Sequence, residues 1–99
     1  MTFGEALENL KKGKFLARRG WNGRGMFIYY TEGSEPRVED LRGNAKKAWM
    51  KGSTKLDNAL LLPHIDMFTH DSSGRTAILC GWLASQSDML SEDWEIVEG

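Results

Sequence analysis

Two strand–turn–strand patterns constrain the fold of this chain more than any other feature of its sequence. In the first, residues 15–19 and 26–30 are rich in aromatic and aliphatic side chains and lie on either side of an Asn-Gly dipeptide. In the second, residues 64–70 alternate between apolar and polar side chains, and a glycine-containing turn separates them from an apolar run at 76–82. Such residues favour strands, and such turns favour tight reversals. The sequence therefore predicts two antiparallel hairpins.

Helical patterns occur near the start and in the middle of the sequence. Thr2 and Glu5 match a capping box ahead of apolar residues at helical spacing, and Gly13 supplies a C-terminal stop. Residues 38–50 carry a second helical spacing, and residues 94–97 are typical of a last strand. We therefore predict an α+β fold: a mostly antiparallel sheet of about five strands, with an N-terminal helix and a second helix in a middle insertion.

The chain is short for its content of large apolar side chains. Its 99 residues include four tryptophans, four phenylalanines, two tyrosines and five methionines. A domain of this size buries only about two-thirds of its unfolded surface, and aromatic residues and methionine are enriched at protein interfaces. A compact aromatic core and an oligomer would both use these residues, and composition leaves the two open. No linker or repeat interrupts the sequence, so we predict a single domain over residues 1–99.

Charge and cysteine content narrow the classes of partner. Thirteen basic and fourteen acidic residues give a net charge of −1, which argues against binding of duplex nucleic acid through a basic surface. The single cysteine, Cys80, excludes an intramolecular disulfide, and its apolar neighbours predict a buried strand residue. The sequence has neither an N-terminal apolar signal segment nor a run of the about 20 apolar residues that span a bilayer. We expect a cytoplasmic protein without a membrane partner.

Candidate metal ligands and catalytic groups are scattered along the sequence. His64, Asp66 and His70 would share one face of a strand, but the two histidines would lie roughly 20 Å apart at about 3.3 Å per residue. A metal ion requires ligands at about 2 Å. Cys80 lies in an apolar run where a thiolate is disfavoured, and the acidic residues at 92–93 are typical of a solvated turn. We predict no metal site, no cofactor and no catalytic residue.

Two segments contain the strongest candidates for a binding site. Residues 82–94 place two tryptophans around a small polar cluster that fits neither a helical nor a strand period, and residues 20–26 place Trp21 beside a glycine-rich turn. Aromatic faces, carboxamides, hydroxyls, a carboxylate and clustered N–H groups suit a planar base that carries ribose and phosphate. Taken singly, Trp21 and Trp82 favour core positions, and the glycine-rich segment lacks the lysine and the following Ser or Thr of a phosphate loop. The candidate ligand-binding residues are Trp21, Asn22, Gly23, Arg24, Met26, Trp82, Ser85, Gln86 and Asp88.

Four strings, in this order and spacing, resemble one protein family. They are Phe3-Gly-Glu-Ala6, Gly20-Trp-Asn-Gly-Arg-Gly-Met26, Pro63-His-Ile-Asp-Met67 and residues 81–94. Together they are similar to the Thoeris anti-defence family, type two, which occurs in phages and prophages. The resemblance covers residues 2–30 and 62–97, whereas the sequence between them departs from the commoner pattern. That departure leaves the preferred ligand and the role of Trp49 open.

The resemblance implies a non-enzymatic protein that disarms bacterial immunity by sequestering a cyclic nucleotide messenger. The principal ligand would be glycocyclic ADP-ribose made by Thoeris TIR enzymes, and some members also bind cyclic oligonucleotides of CBASS systems. The family further implies a homotetramer with pockets between subunits, acting in the cytoplasm of an infected or lysogenic bacterium.

The resemblance also implies roles for individual residues. Trp21 would stack on adenine, and the neighbouring Gly23 would offer backbone N–H groups to phosphate together with Ser85. Gln86 and Asp88 would bind ribose hydroxyls from the opposite wall. Two alternatives remain open: a protein-interaction module that uses exposed aromatic residues, and a nucleotide-cleaving enzyme.

Overall fold

A computed structural model describes residues 1–21, 25–53 and 58–98 of the chain. These residues belong to two compact units, the first built from Met1–Thr31 and His64–Gly99 and the second from Glu32–Pro63. Helices in the described ranges are all too short or too polar to cross a membrane. The single domain expected over residues 1–99 therefore stays a prediction.

One antiparallel sheet forms the centre of the first unit. Its strands are β1 (Phe15–Arg18), β2 (Phe27–Thr31), β3 (His64–His70), β4 (Thr76–Leu79) and β5 (Trp94–Val97). The order across the sheet is β4-β3-β2-β1-β5, and every neighbouring pair is antiparallel. Two helices, α1 (Phe3–Lys11) and α3 (Gln86–Leu90), belong to the same unit. The predicted α+β class, the five strands and the N-terminal helix are confirmed.

The core lies between helix α1 and one face of the sheet. The backbone N–H of Glu5 donates to the Thr2 hydroxyl at 3.2 Å, and the N–H of Thr2 donates to the Glu5 carboxylate at 2.9 Å, which completes the predicted capping box. Both bonds satisfy N–H groups that the first helical turn leaves without partners. The buried core residues are Ala6, Leu10, Leu16, Ile28, Met67 and Trp94.

The opposite face of the sheet carries an aromatic row. Leu16 lies opposite Ile28 in the ladder, so the alternation of side chains turns Phe15 and Phe27 away from α1. The ring of Phe27 stacks between those of Phe15 and Phe68, with centroid separations of 4.9 and 4.8 Å. The row therefore gives the sheet a second apolar surface beyond its core.

The second unit contains the middle helix, but that helix is shorter than predicted. A 3₁₀ turn spans Val38–Asp40, and helix α2 spans Gly43–Gly52. Leu41 and Arg42 between them are extended, with ψ values of 145° and 150°, and Gly43 has φ of 55°. This left-handed angle is accessible to glycine and interrupts a regular helix. The prediction of one helix over residues 38–50 was therefore too long at its N-terminal end.

Cys80 corrects another expectation. The predicted strand at 76–82 ends at Leu79, and Cys80 is exposed. Strand β4 lies at the edge of the sheet, where Ile78 and Leu79 remain 57% and 52% exposed. Gly81 then turns the chain with φ of 79°. An apolar run predicts burial only when both faces of its strand are covered, and at this edge they are not.

Candidate functional site

Arg18 joins the two segments that sequence analysis singled out. Its Nε donates to Asp93 at 2.9 Å, and its Nη1 donates to Asp88 at 2.9 Å. Asp93 also accepts the backbone N–H of Gly20 at 2.8 Å, and Asp88 accepts the indole N–H of Trp21 at 3.4 Å. The Arg18 side chain is 16% exposed. Residues 20–21 and 88–93 are therefore connected through one partly buried cation.

The two carboxylates of this cluster are held in their ionised form. Burial on its own would raise the pKa of Asp88, but hydrogen bonds from Ser85, Arg18 and Trp21 outweigh it and lower that pKa below its ordinary value. The hydrogen bond from Arg18 likewise lowers the pKa of Asp93, and both carboxylates raise the pKa of Arg18. At neutral pH the cluster carries one positive and two negative charges.

Asp88 has a second function as part of the cap of helix α3. The Ser85 hydroxyl accepts the backbone N–H of Asp88 at 3.0 Å, and the Asp88 carboxylate accepts the N–H of Ser85 at 3.0 Å. The indole of Trp94 donates to the Asp88 carbonyl at 2.9 Å. Asp88 is 8% exposed, whereas Ser85 and the next residue, Gln86, are exposed. The cap thus presents Gln86 to solvent and turns Asp88 inward.

Three tryptophans meet next to this cluster. Trp21 packs edge-to-face on Trp94, with ring centroids 5.3 Å apart, and on Trp82 at 6.2 Å. Trp94 is 2% exposed, whereas Trp21 and Trp82 are half-buried. The core and ligand interpretations of these two residues are therefore compatible, because each indole packs inward on one side and retains accessible surface.

A cavity of about 320 Å³ lies beside Trp21, on the aromatic face of the sheet. Alternation along β1 and β5 directs Ala17, Glu95 and Val97 to this face, where Ala17 lies opposite Glu95. Because Ala17 is small, it leaves space between Phe27 and Trp21. The described lining residues are Ala17, Arg18, Arg19, Trp21, Gly25, Met26, Phe27, Glu95 and Val97.

The cavity brings together only part of the predicted set. Trp21 and Met26 line it, whereas the described lining does not include Trp82, Ser85, Gln86 or Asp88. The other three candidates, Asn22, Gly23 and Arg24, lie outside the described residues. Trp82 and Asp88 instead contact Trp21 itself, Trp82 through its ring and Asp88 through the indole N–H. Phe27 and Glu95 also line the cavity but were not predicted as site residues, because their only signal in the sequence is strand alternation.

Asp66, the middle residue of the His64, Asp66 and His70 set, is held by hydrogen bonds within the protein. Asp66 accepts the hydroxyl of Thr31 at 2.6 Å, the backbone N–H of Gly81 at 2.8 Å and Nε2 of His64 at 3.3 Å. Burial would raise the pKa of Asp66, but these bonds lower it overall. Across the described residues, no three His, Cys, Asp or Glu side chains are grouped to hold a metal ion. Asp66 anchors the turn after β4 to the sheet.

Comparison with known proteins assigns the chain to a family. The model of the Thoeris anti-defense 2-like domain matches residues 1–97. The protein Thoeris anti-defense 2 of Bacillus phage SP01 is 34% identical over 97 residues, which cover 98% of this chain and 94% of the relative. The match includes both segments joined by Arg18 and the strands that line the cavity. This chain belongs to the Thoeris anti-defense 2-like family.

Proposed function

We propose that the chain is a phage anti-defence protein that sequesters a cyclic nucleotide messenger without cleaving it. Membership in the anti-defense family supports the anti-defence role. The cavity beside Trp21 carries the ligand part of the proposal, because it combines aromatic walls with an exposed arginine. Its volume of about 320 Å³ is at the lower end of the usual range for small-molecule sites.

The lining residues suit the parts of a nucleotide. Trp21 and Phe27 offer aromatic surface for a base, Met26 offers an adaptable apolar contact, and Arg19 offers a cation for phosphate. Arg19 is 80% exposed in its side chain, so it reaches a ligand without losing a buried partner. We assign base stacking to Trp21.

Ser85, Gln86 and Asp88 do not line the cavity of the single chain, and in this proposal a neighbouring subunit contributes them as the other wall of the site. Three donors already occupy the Asp88 carboxylate, which has about four acceptor positions. One acceptor position of the Asp88 carboxylate therefore remains for a ribose hydroxyl, whereas Gln86 is exposed and accessible. We assign the main ribose contact to Gln86 and a supporting contact to Asp88.

A homotetramer with shared sites is part of the same proposal. Several aliphatic side chains of the first unit are solvent-accessible in the single chain, among them Leu83 at 89%, Leu90 at 78% and Ile78 at 57%. Burial of such residues between subunits is favourable by about 25 cal/mol per Å². The same exposure also favours the alternative of a protein-interaction module, so the experiment includes an outcome that would indicate such a module.

The deciding experiment measures binding and chemical fate together. Calorimetry with glycocyclic ADP-ribose, and separately with cyclic oligonucleotides of the CBASS type, should give saturable binding to at least one of them. Mass spectrometry after heat release should recover that ligand intact and in stoichiometric amount. Consumption of ligand by catalytic amounts of protein would indicate a nucleotide-cleaving enzyme instead. Absence of binding to every cyclic nucleotide would favour the interaction module.

A further inference from the structure

The charged groups at the cavity differ in how firmly they are held. Arg18 is tied to Asp88 and Asp93 at 2.9 Å. Arg19 and Glu95 approach each other only to 3.8 Å, and their side chains are 80% and 51% exposed. A loosely paired ion pair at the surface contributes little to stability. Arg19 and Glu95 can therefore give up their mutual ion pair and bind a ligand instead at little cost in free energy.

The backbone of Glu95 is held in the sheet, although its side chain is exposed. It lies in the middle of β5, and its Cα is paired with that of Ala17 in the ladder. Since the side chain of Ala17 is only a methyl group, it does not separate Glu95 from the cavity. The carboxylate accepts hydrogen bonds and repels phosphate. Among the charged residues described at this cavity, it is the one acceptor-only group.

We propose that Glu95 and Arg19 together determine ligand specificity. Arg19 binds phosphate, and Glu95 accepts hydrogen bonds from sugar hydroxyls or a base amino group. The ligand class selected is a phosphoanhydride that also carries such donors, because a phosphate without donors meets the repulsion of Glu95 and gains nothing from it. A site of this kind discriminates through the acceptor it leaves unpaired. This inference rests on the proposed function and names the groups of the ligand that the site recognises.

The test compares Glu95→Gln and Arg19→Gln with the wild-type protein by calorimetry. Glu95→Gln should weaken binding of glycocyclic ADP-ribose by about tenfold, because it removes a charged acceptor. In the same variant, inorganic pyrophosphate titrated directly should bind more tightly than it binds to wild type, because the repulsion from Glu95 is removed. Arg19→Gln should weaken binding of both compounds. Matched controls are Glu8→Gln on α1 and Arg75→Gln before β4, both exposed and outside the cavity lining.

The outcomes separate this inference from the proposed function. If wild type binds the nucleotide but Glu95→Gln binds it equally well or more tightly, Glu95 acts as a simple repulsive charge or not at all, and the inference is overturned alone. Pyrophosphate that binds Glu95→Gln no more tightly than wild type also overturns it. If wild type binds no cyclic nucleotide, the proposed function fails and the inference falls with it. Unchanged thermal unfolding of the variants confirms that the fold is intact.

Discussion

Replacement of Arg18 by alanine tests whether its cluster holds the two candidate segments together. The change removes both hydrogen-bonded ion pairs, one to Asp88 and one to Asp93. The Asp88 side chain is 11% exposed, so its negative charge would remain largely out of water without its cationic partner. Loss of one partner of a buried pair costs about 3–5 kcal/mol. Asp93 is more exposed and regains water.

The expected cost is below the upper end of that range. Asp88 keeps the N–H groups of Ser85 and Trp21, which continue to stabilise its charge. We therefore expect Arg18→Ala to lower the free energy of unfolding by about 2–4 kcal/mol. For a domain of this size, each 1 kcal/mol corresponds to roughly 4–8 °C in Tm.

Urea unfolding at two protein concentrations provides the measurement, since assembly would make stability depend on concentration. Arg19→Ala is the matched control, because it removes an exposed ion pair of 3.8 Å and should change stability by less than about 0.5 kcal/mol. If Arg18→Ala is destabilised no more than this control, the cluster contributes no net stability and the reasoning from its burial is wrong.

Three further predictions concern the site and its charges. Trp21→Ala should weaken nucleotide binding by about 1–3 kcal/mol in calorimetry through lost stacking, and an unchanged Kd would remove Trp21 from the site. Asp88 and Asp93 have lowered pKa values, so their contribution is complete above the unfolded value of about 3.9 and is lost as pH falls through the folded values. Urea midpoints should therefore fall steeply below about pH 4, and less so in Arg18→Ala. If subunits share each site, mixed Trp21→Ala and Gln86→Ala oligomers should contain some intact sites that bind more tightly than the sites of either parent, and subunit exchange without this recovery would contradict shared sites.

Local sequence patterns predicted the elements whose structure depends on neighbouring residues. The capping box at Thr2 and Glu5 and the glycine-containing turn at 71–74 act over a few residues, so their signals survive in a single sequence. The Asn-Gly turn predicted at 22–23 lies outside the described residues. The prediction of a helix over residues 38–50 was wrong at its start. The left-handed backbone at Gly43 interrupts the helix that the apolar spacing predicted. The prediction that Cys80 is buried was wrong because β4 lies at the edge of the sheet. Local patterns contain no information on the order of the strands.

The candidate site depends mainly on contacts between distant parts of the chain. Arg18 is separated by 70 residues from Asp88 and by 75 from Asp93. The cavity likewise requires β5 to pair with β1, which positions Glu95 beside Ala17. Residue types identified Trp21 as a candidate, but neither the paired arginine nor the carboxylate opposite an alanine has a signature in its own segment.

Trp21 connects the stability of the fold to the properties of the cavity. One side of its indole packs on Trp94, which is 2% exposed, and its N–H points to Asp88 within the Arg18 cluster. The same residue lines the cavity on the aromatic face of the sheet. Because these contacts constrain the ring from two directions, its orientation is fixed before a ligand arrives, and less conformational entropy is lost on binding. Such preorganisation would strengthen the ligand binding that we propose, since the cavity itself offers little area.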